Sequence, residues 1–481
     1  MSKVTASTAA SLFAAGNEAL YGTPESAKRT REYFQGVLHD LGADAAVTVE
    51  HLGEARGKGV VARRRFARDD RVFVELAQFA FQSVENRKAA RACSRCLRFV
   101  GSPSVQIALL LQRSLTASEA ASVEAALKSH GQSHEHFAVE IICPDPCEEL
   151  YCSHQCKDAD ARDGHSFICA SAHRHKAKAI TAFKNHAENT NETFLLALKV
   201  FAFIAARLHS RPDKGSVEAL EYAIWPLRVF VKDYWWNVCM PDEVDKEGGG
   251  GSEDLEKALK TLLTESSQLL RAIFADFPEM APVLTAEFYS LVMGIFERNN
   301  LAIVNPNPLL PILEHLPSGL TEAIMQRASE FISSHNSDHE HGHDRESGQH
   351  HSHDHHQVDE HGSSDPFEAL DALVAEGTGL HIIQGTINHS CTPNCMVFKD
   401  AAALDGSSTS NDEAIRDGRT VLRAIKPIQP GDEITISYLD EGEDDDDDVG
   451  VEVHDEEKEW RARSLREYGI DDCQCPKCLR M

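Results

Sequence analysis

No stretch of this 481-residue chain reaches the roughly 18 to 20 consecutive apolar residues that a bilayer-spanning helix needs. The nearest, TFLLALKVFAFIAARL from Thr193, is interrupted by Lys199 and has helical periodicity, so it reads as a core helix and membrane insertion is not expected. Basic residues are also in short supply: 48 Lys and Arg stand against 76 Asp and Glu, for a formal charge of -28. Phosphate contacts need a basic face, so direct nucleic-acid binding is not expected, whereas an acidic surface steers a basic protein partner. Residues 1–20 lack both the Arg-rich character of a transit peptide and the apolar core with cleavage site of a secretory signal. The expectation is a soluble monomer of the cytoplasm and/or nucleus. In such a compartment thirteen cysteines point to metal binding before disulfides.

What is present is unevenly spread. Residues 1–44 are rich in Ala, Ser and Thr and are expected to be only partly ordered, whereas AVTVEHL, GVVARRRF and RVFVELAQFAF after them read as short strands. Residues 170–300 have helical periodicity, broken by the flexible linker EGGGGSED at 247–254. A tract from Ser333 to Ser364 holds ten histidines without a recurring ligand spacing and reads as a disordered insertion. Strand-like segments return at GLHIIQGTI, CMVFKD, TVLRAI and EITISYLD, so the β part is split in two. DEGEDDDDDVGVEVHDEE, residues 440–457, carries twelve acids and no Lys or Arg and reads as a solvated loop.

Between residues 93 and 169 the potential metal ligands fall in pairs: Cys93 and Cys96, Cys143 and Cys147, Cys152 and Cys156, His165 and Cys169. Two or three intervening residues let both members of a pair reach one ion, and eight ligands make two closed tetrahedral sites, structural and not catalytic. Near the end, CQCPKC supplies Cys473, Cys475 and Cys478, one thiolate short of a zinc site. The loop INHSCTPNC, residues 387–395, offers Cys391 or Cys395 as the fourth.

Three further segments are weak singly. Gly57 and Gly59 flank Lys58 in RGKGVVA, a turn where missing side chains let backbone approach a ligand. Asn388 and His389 sit in the NHSC loop, and Tyr438 ends the strand GDEITISYLD.

The order GKG, NHSCTPN, GDEITISYLD, CQCPKC resembles the SET domain of protein-lysine methyltransferases, and CSRC with YCSHQC and HSFIC resembles a MYND zinc finger inserted after the first strands. Together they resemble the SET and MYND domain (SMYD) family over roughly residues 50–481, and within it the branch lacking a C-terminal helical-repeat domain. The resemblance implies an α+β fold: a SET-type β fold of short strands, split by the finger and a helical insertion and closed by a post-SET zinc site. The implied boundaries are 45–92 and 367–440 for the two SET parts, 93–169 for the finger, 170–332 for the helical insertion, 333–366 for the His-rich insertion, 441–457 for the acidic loop and 458–481 for the post-SET segment.

The resemblance also implies methyl transfer from S-adenosylmethionine to a lysine of a histone, a ribosomal protein or another basic protein, with about three zinc ions. One zinc would take Cys93, Cys96, Cys152 and Cys156, a second Cys143, Cys147, His165 and Cys169, and a third Cys391, Cys473, Cys475 and Cys478. Gly57, Lys58, Gly59, Asn300, Asn388 and His389 would contact the cofactor, and Tyr438 would contact it and carry catalysis. An aromatic wall usually stands two residues before the first tail cysteine; Asp471 stands there, and one extra residue after Tyr468 puts Ile470 in the wall position with Tyr468 one step before it, so either Ile470 or Tyr468 would replace the aromatic. The alternative is a MYND-type interaction adaptor on a catalytically weak SET scaffold.

Overall fold

The computed structural model describes residues 4–129, 137–138, 140–239, 252–340, 374–398, 417–439, 455–471, 473, 475, 477 and 478. The linker up to residue 251, the His-rich tract from 341 and the acidic run at 440–454 lie outside these.

Twelve strands occur among the described residues, in chain order β1 Val47–His51, β2 Lys58–Ala62, β3 Arg71–Glu75, β4 Phe79–Gln82, β5 Ile141–Ile142, β6 Leu150–Tyr151, β7 Asn300–Asn305, β8 Ala375–Leu380, β9 Asn388–His389, β10 Cys395–Phe398, β11 Thr420–Ala424 and β12 Glu433–Ile436. They form small sheets ordered β1-β2-β12-β9, β10-β11-β3, β4-β8-β7 and β5-β6. Each of the first three joins strands from before and after the long central segment, so the divided β part is one structure. In the first sheet, Val60 of β2 faces Val49 on one side and Ile434 on the other. On its far side, β12 pairs in parallel with β9, setting Thr435 opposite Asn388 and Ile436 opposite His389. That parallel pairing brings the NHSC loop beside the strand leading to Tyr438.

The helix Phe194–His209 is the apolar run singled out in the sequence, and twelve of its residues are buried. It packs with helices Val217–Arg228 and Ala286–Asn299. At Gly164, with φ 126°, an added Cβ would lie 2.4 Å from the backbone carbon of Ala202, so only glycine lets the cysteine-rich segment approach this helix so closely.

One expectation is corrected. The N-terminal segment, expected to be only partly ordered, forms helices Ala6–Ala14, Asn17–Tyr21 and Pro24–Asp40. Thr5 and Thr23 cap the first and third, with Pro24 in the first turn. Phe13 and Phe34 are buried, and Phe13 stacks on Phe288 at 4.4 Å, so burial supplies what the small polar composition lacks. The long gap between Cys96 and Cys143 contains helices Pro103–Leu110 and Ala117–Ser129. Their Ile107, Leu110, Val123 and Leu127 form a second core with Ile312, Leu313, Leu320 and Ile324.

Candidate functional site

Three groups of metal-ligating side chains converge among the described residues: Cys93, Cys96, Cys152 and Cys156; Cys143, Cys147, His165 and Cys169; and Cys391, Cys473, Cys475 and Cys478, each with ligand atoms within 4.8 Å of one another. Sulfur pairs at 3.6 Å (Cys96 to Cys152), 3.5 Å (Cys143 to Cys169) and 3.6 Å (Cys391 to Cys478) are close to the edge of about 3.8 Å that a tetrahedron with zinc–sulfur bonds of about 2.3 Å has. In the second group His165 Nε2 lies 3.5 Å from Cys147 Sγ, while its Nδ1 lies 3.8 Å from Asp160, which accepts from the Tyr151 hydroxyl at 2.7 Å. A carboxylate behind a histidine orients the ring toward a metal. In the third group, burial and the neighbouring tail thiols push the Cys391 thiol well up, so ionising the whole group calls for a cation. Cys395 lies in β10, outside the group.

Beside that third group, β2, β9 and β12 bring the other candidates together. Gly57, with φ 61°, makes the turn into β2. A Cβ at Gly59 would lie 3.0 Å from Asn388 Nδ2 and 3.1 Å from Glu433 Oε1, so its bare backbone sits in a tight cradle. Asn388 Nδ2 donates to Lys58 O at 3.0 Å and to Glu433 Oε1 at 2.8 Å, and Arg56 pairs with Glu433 at 2.9 Å. Asn388 is thus locked to the GKG turn by an ion pair that sequence reasoning missed; 377 positions separate Arg56 from Glu433, and no local pattern links them.

Tyr438 is held at both ends by the NHSC segment. Its hydroxyl donates to Ile387 O at 2.6 Å and its backbone N–H to His389 Nδ1 at 3.0 Å. Burial pushes its phenol well above the usual range, with the nearby Tyr468 contributing, so it stays protonated. His389 is pushed down to about 4 by burial and by the charges of Arg56 and Arg461, so its ring is neutral.

Burial pushes Lys58 down to about 8. Lys232, which sequence reasoning did not select, is pushed down to about 7, first by burial and then by the charges of Lys58 and Arg228. Asn300 is only 4% exposed, yet neither atom of its amide has a hydrogen-bond partner among the described residues. Ile470 packs onto the cluster of Cys391, Leu439, Leu465 and Cys475, whereas the Tyr468 ring lies 5.0 Å from that of Tyr438. The aromatic beside Tyr438 is therefore Tyr468, because the chain turns at Gly469, φ 76°, and sends Ile470 to the tail core.

A sequence profile of the SET domain matches residues 294–439, which include Asn300, the NHSC loop and Tyr438. The histone-lysine N-methyltransferase ATXR2 of Arabidopsis thaliana is 26% identical over 97% of this chain and 97% of its own length. The protein-lysine N-trimethyltransferase SMYD5 of Gallus gallus is 24% identical over 89% of this chain and 84% of its own. The histone-lysine N-methyltransferase SMYD1 of Homo sapiens is 32% identical, over 22% of this chain and 19% of its own. The fold and the site define the class, a SET-domain methyltransferase. The matches along nearly the whole chain narrow the likeness: over most of its length the chain is similar to a histone-lysine N-methyltransferase and to SMYD5, a protein-lysine N-trimethyltransferase.

Proposed function

We propose that this protein transfers a methyl group from S-adenosylmethionine to the ε-amine of a lysine in a basic protein. The observation that carries the reading is the clamp on Tyr438 by the segment that also locks Asn388 to the GKG turn. The residues present suit the cofactor: the buried, unpartnered side-chain amide of Asn300 has a donor and an acceptor to offer. Gly57, Lys58 and Gly59 would hold the methionine end of the cofactor, and Asn300, Asn388 and His389 its remainder, His389 through backbone groups. When bound, S-adenosylmethionine supplies a sulfonium methyl whose carbon takes the lysine nitrogen lone pair as the sulfur–carbon bond breaks.

The Tyr438 hydroxyl proton is committed to Ile387 O, which leaves the phenolic oxygen free to accept. It would orient the lysine amine and, by C–H···O contacts worth about 1 kcal/mol at most, the methyl group. Tyr438 and Tyr468 would wall the lysine channel, whose desolvation favours the neutral amine that the displacement requires. The first two cysteine groups read as a MYND-type finger holding two zinc ions, and the third as a post-SET zinc site. The -28 charge suits a histone, ribosomal or other basic substrate of the cytoplasm or nucleus. Radiolabelled S-adenosylmethionine should bind the purified protein and label an acid extract of basic cellular proteins. Absence of both binding and label would refute the reading.

A further inference from the structure

The side chain of His389 stands between the third cysteine group and Tyr438. Its Nδ1 faces the backbone N–H of Tyr438 at 3.0 Å, and an amide N–H can only donate, so Nδ1 carries the lone pair. The proton of the neutral ring is then on Nε2, which lies 3.2 Å from Cys391 Sγ. The tautomer is assigned by the backbone partner, and it aims an N–H at a sulfur of the cluster. Cys391 Sγ is in turn 3.6 Å from Cys478 Sγ of the tail. At the other end, the Tyr438 hydroxyl is tied to Ile387 O, two residues before His389. A run of hydrogen bonds therefore leads from the tail cysteines through one imidazole to the backbone of Tyr438 and back to the same segment.

We propose that His389 is a positioning residue whose imidazole couples the metal state of the Cys391, Cys473, Cys475 and Cys478 group to the placement of Tyr438. The proposal rests on the methyltransferase reading above. A thiolate held by a metal ion is a strong acceptor and a thiol a weak one, so metal in the tail site strengthens the Nε2–H···S bond. A ring fixed by that bond presents Nδ1 to Tyr438 at a set distance and angle. Without it the ring is held on one side only, and the tyrosine loses one of its two restraints.

Three variants separate the two halves of the link. In His389→Asn the side-chain oxygen can replace Nδ1 toward Tyr438 while contact with Cys391 is lost. In His389→Gln the amide nitrogen can replace Nε2 toward Cys391 while the bond to Tyr438 is lost; His389→Phe removes both. The full chain is loaded with Co2+ in place of zinc and its sulfur-to-cobalt charge-transfer absorption is recorded, together with kcat, KM and the affinity for S-adenosylhomocysteine. The absorption should shift in His389→Asn and His389→Phe and stay in place in His389→Gln. kcat should fall by about 10- to 100-fold in all three, with affinity for S-adenosylhomocysteine changed by no more than about threefold, as for other groups that act through a metal ligand.

Unshifted absorption in His389→Asn, or an undiminished kcat in either half-variant, overturns the proposal. The two half-variants conserve polarity and size, so a collapse of His389→Phe alone leaves the test intact. Wild-type protein that transfers no methyl group would sink the proposed function, and the absorption arm would then still decide whether His389 bonds to the cluster.

Discussion

Raising the pH should weaken cofactor binding, and Lys58 sets the size of the effect. Burial holds this lysine at about 8 in the free protein, so it is about nine-tenths charged at pH 7 and about one-tenth charged at pH 9. A carboxylate at the methionine end of the cofactor stabilises the ammonium and draws that value back up. Binding above pH 8 thus takes up a proton, and the affinity falls as pH rises through 8. If the contact needs the charged form, the loss between pH 7 and 9 approaches about tenfold, or about 1.4 kcal/mol. Lys232, held at about 7, loses its charge first; this removes a repulsion on Lys58 and broadens the lower part of the transition.

The assay is calorimetric titration of S-adenosylhomocysteine at pH 7 and 9 in two buffers of different ionisation enthalpy, which counts the protons taken up. The ligand's own amine titrates in the same range, so the quantity read is the difference between wild type and Lys58→Met. An identical pH dependence in the two proteins would refute the placement of Lys58 at the cofactor's carboxylate.

Tyr438→Phe removes the hydroxyl that donates to Ile387 O. Methyl transfer should fall by about 100-fold through lost alignment, with zinc content and S-adenosylhomocysteine affinity unchanged in metal analysis and calorimetry. Cys391→Ser should lower the zinc count from about three per chain to about two and weaken S-adenosylhomocysteine binding, since metal binding and local folding are coupled. A count of three, or unaltered binding, would disconnect the tail from the site. Phe13→Ala, at a fully buried ring stacked on Phe288, should cost about 3 to 5 kcal/mol and lower the Tm in a thermal melt. An unchanged Tm would mean that the N-terminal helices contribute nothing to the core.

How much could be read in advance differs from residue to residue. Paired spacing picked out Cys93 with Cys96 and Cys152 with Cys156, because both ligands of a pair lie in one turn of chain. The N-terminal helices were missed although Thr23, Pro24 and Ser26 form a helix-start signal, since the small-residue composition outweighed it. Counting back from Cys473 leaves Ile470 and Tyr468 both open for the wall position, because the left-handed turn at Gly469, which sets Tyr468 beside Tyr438, depends on backbone conformation.

The sequence by itself determined which chemical groups exist and how they are spaced locally: the GKG turn, the NHSC loop, the strand ending at Tyr438 and the cysteine pairs. Local spacing sets what neighbouring residues can reach, so those features are legible in the chain itself. Only the tertiary structure decided that Arg56 meets Glu433, that His389 lies between Cys391 and Tyr438, and that Lys232 shares a low-dielectric region with Lys58. Those relations depend on which strands pair and in what register, and on how far burial removes water from a charge, and both are properties of the packed chain.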